Sequence, residues 1–226
     1  MKEKVNTVVV GGGQAGLSSS YHLTRQNREH VVLEKDRIGE SWKSKKWDSF
    51  TLVTPNWQLR LPGFAYDGDD PDGFLTHDEV AQYVDDYANQ FNPPVRIGVE
   101  ATSVEEGNNG DGFRVETNAG KLQADNVVVA TGTFQQPNIP DFSQRISPDV
   151  VQMHSSWYRN PEALPPGRCP GGRRRTVGLP DCRGTVPERQ KSLPVYQQHQ
   201  TGSQTLSREG FHLVAGQNGR DRQHGG

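Results

Sequence analysis

Val8-Val9-Val10-Gly11-Gly12-Gly13-Gln14-Ala15-Gly16-Leu17 decides the reading of this chain. A β-branched run, Val5 to Val10, stops at three glycines, the pattern of a buried parallel strand ended by a tight turn. Gln14 to Gln26 then reads as a helix with Ala15, Leu17 and Leu23 among its packing positions, and Val31 to Glu34 is a second short apolar run. Strand, helix and strand within about 30 residues make one βαβ unit. In Gly11-x-Gly13-x-x-Gly16, the first glycine permits the turn, the second lets a pyrophosphate approach bare backbone, and the third lets the helix pack close to the strand. The amides at the helix start, those of Gln14 and Ala15 included, carry a partial positive charge toward the phosphates. Glu34 ends the second strand 18 residues after Gly16, where a carboxylate accepts both hydroxyls of an adenosine ribose and disfavours a 2′-phosphate. The site fits FAD or NAD rather than NADP.

Outward from this unit, residues 39 to 70 are irregular and aromatic-rich, with Trp42, Trp47, Phe50, Trp57, Phe64 and Tyr66. Trp47 and Trp57 read as core aromatics on burial habits. The acidic run Asp67 to Asp72 reads as a solvated turn, lacking the closing glutamate of a calcium loop. Thr76 to Gln90 is a helix opened by a capping box, Thr76 and Glu79 exchanging bonds, with Val80, Tyr83, Val84 and Tyr87 inward. Arg96 to Glu105, Phe113 to Thr117 and Lys121 to Thr131 read as three strands, the first two joined by the turn from Gly107 to Gly112. The expected fold is α/β: a Rossmann-like FAD-binding domain with a parallel sheet and a small β-meander, followed by a disordered C-terminal tail.

Composition divides the chain at residue 167. Residues 1 to 167 carry 15 basic and 23 acidic side chains, a net of −8, and residues 168 to 226 carry 10 and 4, a net of +6. Apolar residues number 58 of the first 167 but 13 of the last 59. Ordering one residue costs about 1–2 kcal/mol and burying one large apolar side chain returns about 1.5–3 kcal/mol, so the tail is not expected to fold by itself. The acidic balance of the first part argues against a nucleic-acid surface. No apolar run reaches the roughly 18 residues of a membrane span, and a start without a signal-peptide pattern reads as cytoplasmic. Both cysteines, Cys169 and Cys182, fall in the tail, which leaves residues 1 to 167 without a disulfide framework, zinc knuckle or C-x-x-C pair. No tyrosine is followed by lysine at the Tyr-x-x-x-Lys spacing of short-chain dehydrogenases.

The segments VVVGGGQAGL, VVLEKDRIGESW, VVVATGTFQQPNIP and QMHSSWYRNP, spread over residues 8 to 160, resemble the flavin-containing monooxygenase and Baeyer–Villiger group of flavoproteins. The resemblance implies FAD held by Gly11, Gly13, Gly16 and Glu34, with Lys35 beside the adenine and Trp42 covering part of the cofactor. It implies an adenine contact from the backbone of Val104, and a crossover to the nucleotide domain at Ala130, Thr131 and Gly132. His154 and Tyr158 match the family's H-x-x-x-Y, while Phe142-Ser143-Gln144 stands where F-x-G is expected. His154 itself reads as a hydrogen-bonded linker residue, because flavins do their own chemistry. The implied activity is flavin-dependent monooxygenation: NADPH reduces the flavin, dioxygen gives a C4a-hydroperoxyflavin, and a small organic substrate receives one oxygen. No catalytic residue is assigned. An alternative is a truncated FAD-binding fragment that does not turn over.

The family continues into a second strand–GxGxxG–helix unit that binds NADPH, and residues 168 onward show none. With suitable synonymous codons, however, Arg168 to Tyr196 read one nucleotide later give GALVVGGGQSGCQIAEELYQSGKKVYLS, and the same shift through the remainder gives TSSTRLVPRRYRGKDFTWWLVKMGG. The tail is therefore expected to be an out-of-frame remnant of an NADPH-binding domain, the alternative being a basic interaction arm.

Overall fold

The computed structural model describes residues 3–107, 110–133 and 135–164. The tail from 165, with Cys169, Cys182 and the expected frame change, lies outside the described residues. Eight strands and three helices are seen: β1 Glu3–Val10, α1 Gln14–Arg25, β2 His30–Glu34, α2 Glu40–Ser44, β3 Arg60–Leu61, β4 Phe64–Ala65, α3 His77–Phe91, β5 Val95–Ile97, β6 Ala101–Glu106, β7 Phe113–Thr117 and β8 Gly120–Val129. The main sheet has the order β5-β2-β1-β8-β7-β6. β5, β2, β1 and β8 run parallel, and β8, β7 and β6 form the antiparallel meander. β3 and β4 pair separately.

The centre of the sheet follows from the β-branched runs. Val8, Val10, Val31 and Leu33 pack into one apolar cluster with Ala101, Val104, Val115, Leu122 and Ala124, so the meander covers one face. Val9 and Val32, fully buried between them in sequence, point to the opposite face by the alternation of a strand. A second cluster joins Leu17 of α1 to Tyr83, Val84, Tyr87 and Ala88 of α3. Burial pushes the Tyr87 phenol up to about 12. The expected capping box opens α3: Glu79 N–H donates to Thr76 Oγ1, and Thr76 N–H donates to Glu79 Oε2 at 2.8 Å.

Two expectations are corrected. Arg96 to Glu105 is not one strand. Gly98, at φ +76°, breaks the run, leaving β5 beside β2 at one edge of the sheet and sending β6 to the other. Asn118, in the β7–β8 turn, staples the crossing: its Nδ2 donates to Gly98 O at 3.0 Å, and its Oδ1 accepts from Glu100 N–H at 3.0 Å. Trp57 is not a core residue; it is 46% exposed, on a 3-10 turn fixed by backbone bonds to Pro71 O and Pro55 O. Trp47 is half-buried and edge-on to Phe50 with centroids 4.8 Å apart. Asp67, Asp69, Asp70 and Asp72 are all exposed, as a solvated turn requires.

Candidate functional site

At the carboxyl ends of β1, β2 and β8, short backbone bonds draw three loops together. Gly11 N–H donates to Leu33 O (2.8 Å), Ala130 N–H to Val10 O (2.8 Å) and Gly39 N–H to Gly12 O (3.2 Å). The three fingerprint glycines then differ sharply in what surrounds them. A Cβ on Gly16 would lie 1.8 Å from Gly11 O, so α1 sits against the turn at a distance only glycine permits. A Cβ on Gly11, where φ is +111°, would lie 2.5 Å from Ala130 O, which fixes the turn against the segment after β8. A Cβ on Gly13 would meet nothing within 4 Å. Among the described residues Gly13 therefore answers to no neighbour, and the space before it is open to a ligand.

Gly13 is also the N-cap of α1, with no side-chain cap, and the exposed Gln14 and Ala15 follow. The first helical bond runs from Leu17 N–H to Gly13 O. A helix start without a cap leaves amides to be satisfied from outside, and its partial positive charge selects an anion. Beside it, Glu34 Oε2 accepts from Gly12 N–H at 2.6 Å and Oε1 from Asp36 N–H at 2.9 Å. Each carboxylate oxygen has a further lone pair, so the same group that ties β1 to β2 can accept two ribose hydroxyls.

The structure thus brings Gly11, Gly13, Gln14, Ala15, Gly16, Glu34, Ala130, Thr131 and Gly132 together at the carboxyl ends of β1, β2 and β8. Lys35 is exposed next to Glu34 and lies 3.7 Å from Glu100. Trp42 sits on α2, one bond removed from the fingerprint, since its N–H donates to Gly39 O at 2.9 Å. Val104 does not join them: it lies in the meander's edge strand with its side chain 4% exposed in the core. What reaches Glu34 from that part of the chain is Val99, whose N–H donates to Glu34 O at 3.1 Å, and Glu100 beside it reaches Lys35. Gly12, Val99, Glu100 and Asn118 are the residues of this end that sequence reasoning missed; Gly98 was the available signal for the last three.

Beyond Trp42, Lys46 Nζ lies 4.7 Å from the Trp42 ring centroid and 5.2 Å from that of Phe50, and burial pulls its ammonium below the usual lysine range. Lys45 Nζ donates to Gln135 Oε1, and Gln135 Nε2 to Thr131 O, joining this aromatic wall to the crossover. Arg159 donates to Ser44 O and Lys46 O, and Asn160 to Asp48, so the segment after His154 backs the same wall. His154 caps a 3-10 turn by accepting from Ser156 N–H at 3.1 Å, and burial lowers its pKa. That is a linker's role.

An open glycine turn, an uncapped helix start and a ribose-ready carboxylate at the carboxyl ends of parallel strands define a dinucleotide-binding domain. Residues 8–165 match the family described as pyridine nucleotide-disulphide oxidoreductase, and the chain belongs to it. It is 42% identical over 168 residues to an uncharacterised CzcO-like oxidoreductase of Geobacillus kaustophilus, covering 74% of this chain and 47% of that one. It is 29% identical over 143 residues to a Baeyer-Villiger monooxygenase of Streptomyces coelicolor, covering 62% and 27%. Among solved structures, the flavin-containing monooxygenase from Stenotrophomonas maltophilia matches with a TM-score of 0.61 and 29% identity, over 70% of this chain and 48% of that one. The family is therefore that of FAD-dependent, monooxygenase-like flavoproteins. The chain spans about half the length of the CzcO relatives it matches. Among the described residues no helix is long and apolar enough to cross a membrane.

Proposed function

We propose that residues 8–165 form the FAD-binding part of an NAD(P)H-linked flavin monooxygenase acting on a small organic substrate in the cytoplasm. The observation that carries this reading is Gly13: it has no neighbour within 4 Å of a would-be Cβ, at a helix start that lacks a cap. A glycine kept where the protein imposes no steric demand is accounted for by a ligand that needs the backbone bare.

The Gly13 turn and the amides of Gln14 and Ala15 hold the pyrophosphate oxygens, and the α1 dipole adds its partial charge. Glu34 accepts the ribose hydroxyls with the lone pairs that Gly12 and Asp36 leave over. Lys35 stands by the adenine, and the crossing segment Val99–Glu100 lies at that end. Trp42 and the Lys46 ammonium wall the cofactor on the far side of the turn, shielding it from water. FAD, when bound, supplies two-electron chemistry between a nicotinamide donor and dioxygen.

The purified chain titrated with FAD and followed by flavin fluorescence tests the reading. Near-equimolar binding, displaced by ADP, is the expected result, and no saturable binding overturns it. A second reading, an FAD-binding chain that does not turn over, draws on the single Gly-x-Gly-x-x-Gly in the sequence. NADPH oxidation by the flavin-loaded chain separates the two: steady turnover supports the enzyme, and bound flavin without turnover supports the binding fragment.

A further inference from the structure

Among the described residues, five lysine and arginine side chains are half-buried: Lys43, Lys45, Lys46, Arg114 and Arg159. Two have a counter-ion, Lys43 at 2.7 Å from Asp85 and Arg114 at 3.4 Å from Glu105. The other three have no carboxylate within 4 Å among the described residues, although residues 1–167 carry a net charge of −8. These three stand together. Arg159 donates to the backbone of the segment that bears both lysines, at Ser44 O and Lys46 O, and its other bonds go to Ser156 O and Tyr158 O. Its fork is filled by neutral carbonyls and its charge is left over. Lys45 Nζ meets the neutral Gln135 Oε1 at 3.1 Å. Lys46 Nζ faces the rings of Trp42 and Phe50. Asp48, the nearest acid in sequence, is turned to Asn160 Nδ2 at 2.7 Å.

Donors are in surplus here as well as charge. The indole N–H of Trp47, whose ring stands edge-on to Phe50 at 4.8 Å, is buried without an acceptor. Withdrawing a cation from water is unfavourable unless an anion comes with it, and a ring face offsets only part of that cost. A ligand that brings acceptor oxygens and negative charge satisfies this segment. The free donors also narrow its class. A guanidinium fork grips phosphate bidentately, but the Arg159 fork is occupied, which leaves the point-charge ammoniums of Lys45 and Lys46. These match the two oxygens and single charge of a carboxylate. The flat faces of Trp42 and Phe50 beside the Lys46 ammonium match a planar apolar body attached to it.

We propose that the wall of Trp42, Lys46 and Phe50 is a second ligand site, which takes a small planar organic carboxylate. Lys46 pairs with the carboxylate, and the unpaired charges of Lys45 and Arg159 add to the attracting field. That this carboxylate is the substrate of the oxygenation rests on the flavin-monooxygenase reading; that the site binds it does not.

Calorimetric titration of the purified chain with benzoate, and with benzamide as the neutral molecule of the same shape, is the test. Saturable benzoate binding, about tenfold or more tighter than benzamide, is expected from a hydrogen bond between charged groups. No saturable binding of benzoate, or equal affinity for the two, overturns the proposal, and inorganic phosphate binding tighter than benzoate overturns the carboxylate. Lys46→Met keeps an unbranched side chain and removes the charge. Benzoate affinity should fall about tenfold or more, while the melting temperature without ligand stays equal or rises, because an unpaired half-buried charge is gone. A Lys46→Met chain that melts lower and binds benzoate like the parent shows a lysine that only packs the rings, and overturns the assignment. If that variant does not fold, Lys45→Gln decides: weaker benzoate binding with benzamide unchanged supports the site, and unchanged benzoate binding overturns it. FAD titration of the same chain is read separately. Benzoate bound without FAD keeps this site and removes its role as a substrate site, whereas FAD bound without benzoate removes this site alone.

Discussion

Gly13→Ala and Gly16→Ala add the same methyl group three residues apart, and the geometry requires opposite consequences. At Gly16 the new Cβ lies 1.8 Å from Gly11 O and 3.0 Å from Gly11 C, both backbone atoms. Helix α1 must retreat by more than 1 Å from β1, disturbing Leu17 and with it the contact to α3. Overpacking of this kind costs about 1–3 kcal/mol or more. In a domain of this size each kcal/mol lowers the melting temperature by about 2–4 °C, so Gly16→Ala should melt about 2–12 °C below the parent. At Gly13, φ is −83° and the Cβ meets nothing. Alanine there is unstrained, and loss of unfolded-chain freedom leaves stability equal or higher by a few tenths of a kcal/mol. FAD affinity, by contrast, should fall, because the methyl occupies the approach to the amides; one lost hydrogen bond to a charged group is worth about 1.5–3 kcal/mol, more than tenfold in affinity. Thermal unfolding without ligand and FAD titration of both variants give four numbers. A Gly13→Ala chain that binds FAD like the parent, or a Gly16→Ala chain that melts like the parent, refutes the division of roles.

Three further outcomes follow from single contacts. Glu34→Ala should weaken FAD by about 1–3 kcal/mol in the same titration, since it removes the ribose acceptor and frees the Gly12 and Asp36 amides; unchanged affinity moves the ribose contact elsewhere. Thr76→Ala removes the capping box of α3 and should cost about 1 kcal/mol in chemical denaturation, with no effect on FAD binding. Glu40, held down to about 2 chiefly by its hydrogen bond from Arg37, is ionised in the folded chain where the unfolded chain would begin to protonate. Its contribution is complete above the ordinary glutamate range and is lost as pH falls through about 2. Melting curves from pH 5 to pH 2 should therefore drop less for Glu40→Gln than for the parent, and parallel curves refute the assignment.

The βαβ unit was legible because its causes are local. Val8 to Val10 can only be a buried strand, Gly11 to Gly13 can only be a turn, and Thr76 with Glu79 forms its cap from neighbours in sequence. The division of Arg96 to Glu105 was hidden because Ile97, Val99 and Ala101 continue a strand-like alternation across the break. Only Gly98, free to take a positive φ, marks it, and the partner that makes the break useful, Asn118, lies 20 residues further on. Trp57 misled for a related reason: burial habits describe tryptophan in general, and an irregular segment offers no period by which to say which aromatic faces inward.

The site shows the same boundary between local and long-range causes. Glu34 could be named from its spacing to Gly16, because helix and strand lengths fix that distance along the chain. Its bond to Gly12 could not, since an amide is common to every residue and leaves no mark on residue type. The adenine end leaves as little mark. Val99, Ala101 and Val104 are all small apolar residues within one apparent strand, and backbone contact is indifferent to which of them makes it. Once Gly98 turns the chain, Val99 is bonded to Glu34 while Val104 is carried into the core of the meander. If the adenine is held by backbone at this edge, its partner is the crossing at 98–101, and proline at Val99, which removes the N–H given to Glu34, should weaken ADP as well as FAD. Proline at Val104 leaves the bond from Val99 to Glu34 in place and should leave ADP affinity unchanged; a loss of ADP affinity in the folded Val104→Pro chain, with none in Val99→Pro, would return the contact to Val104.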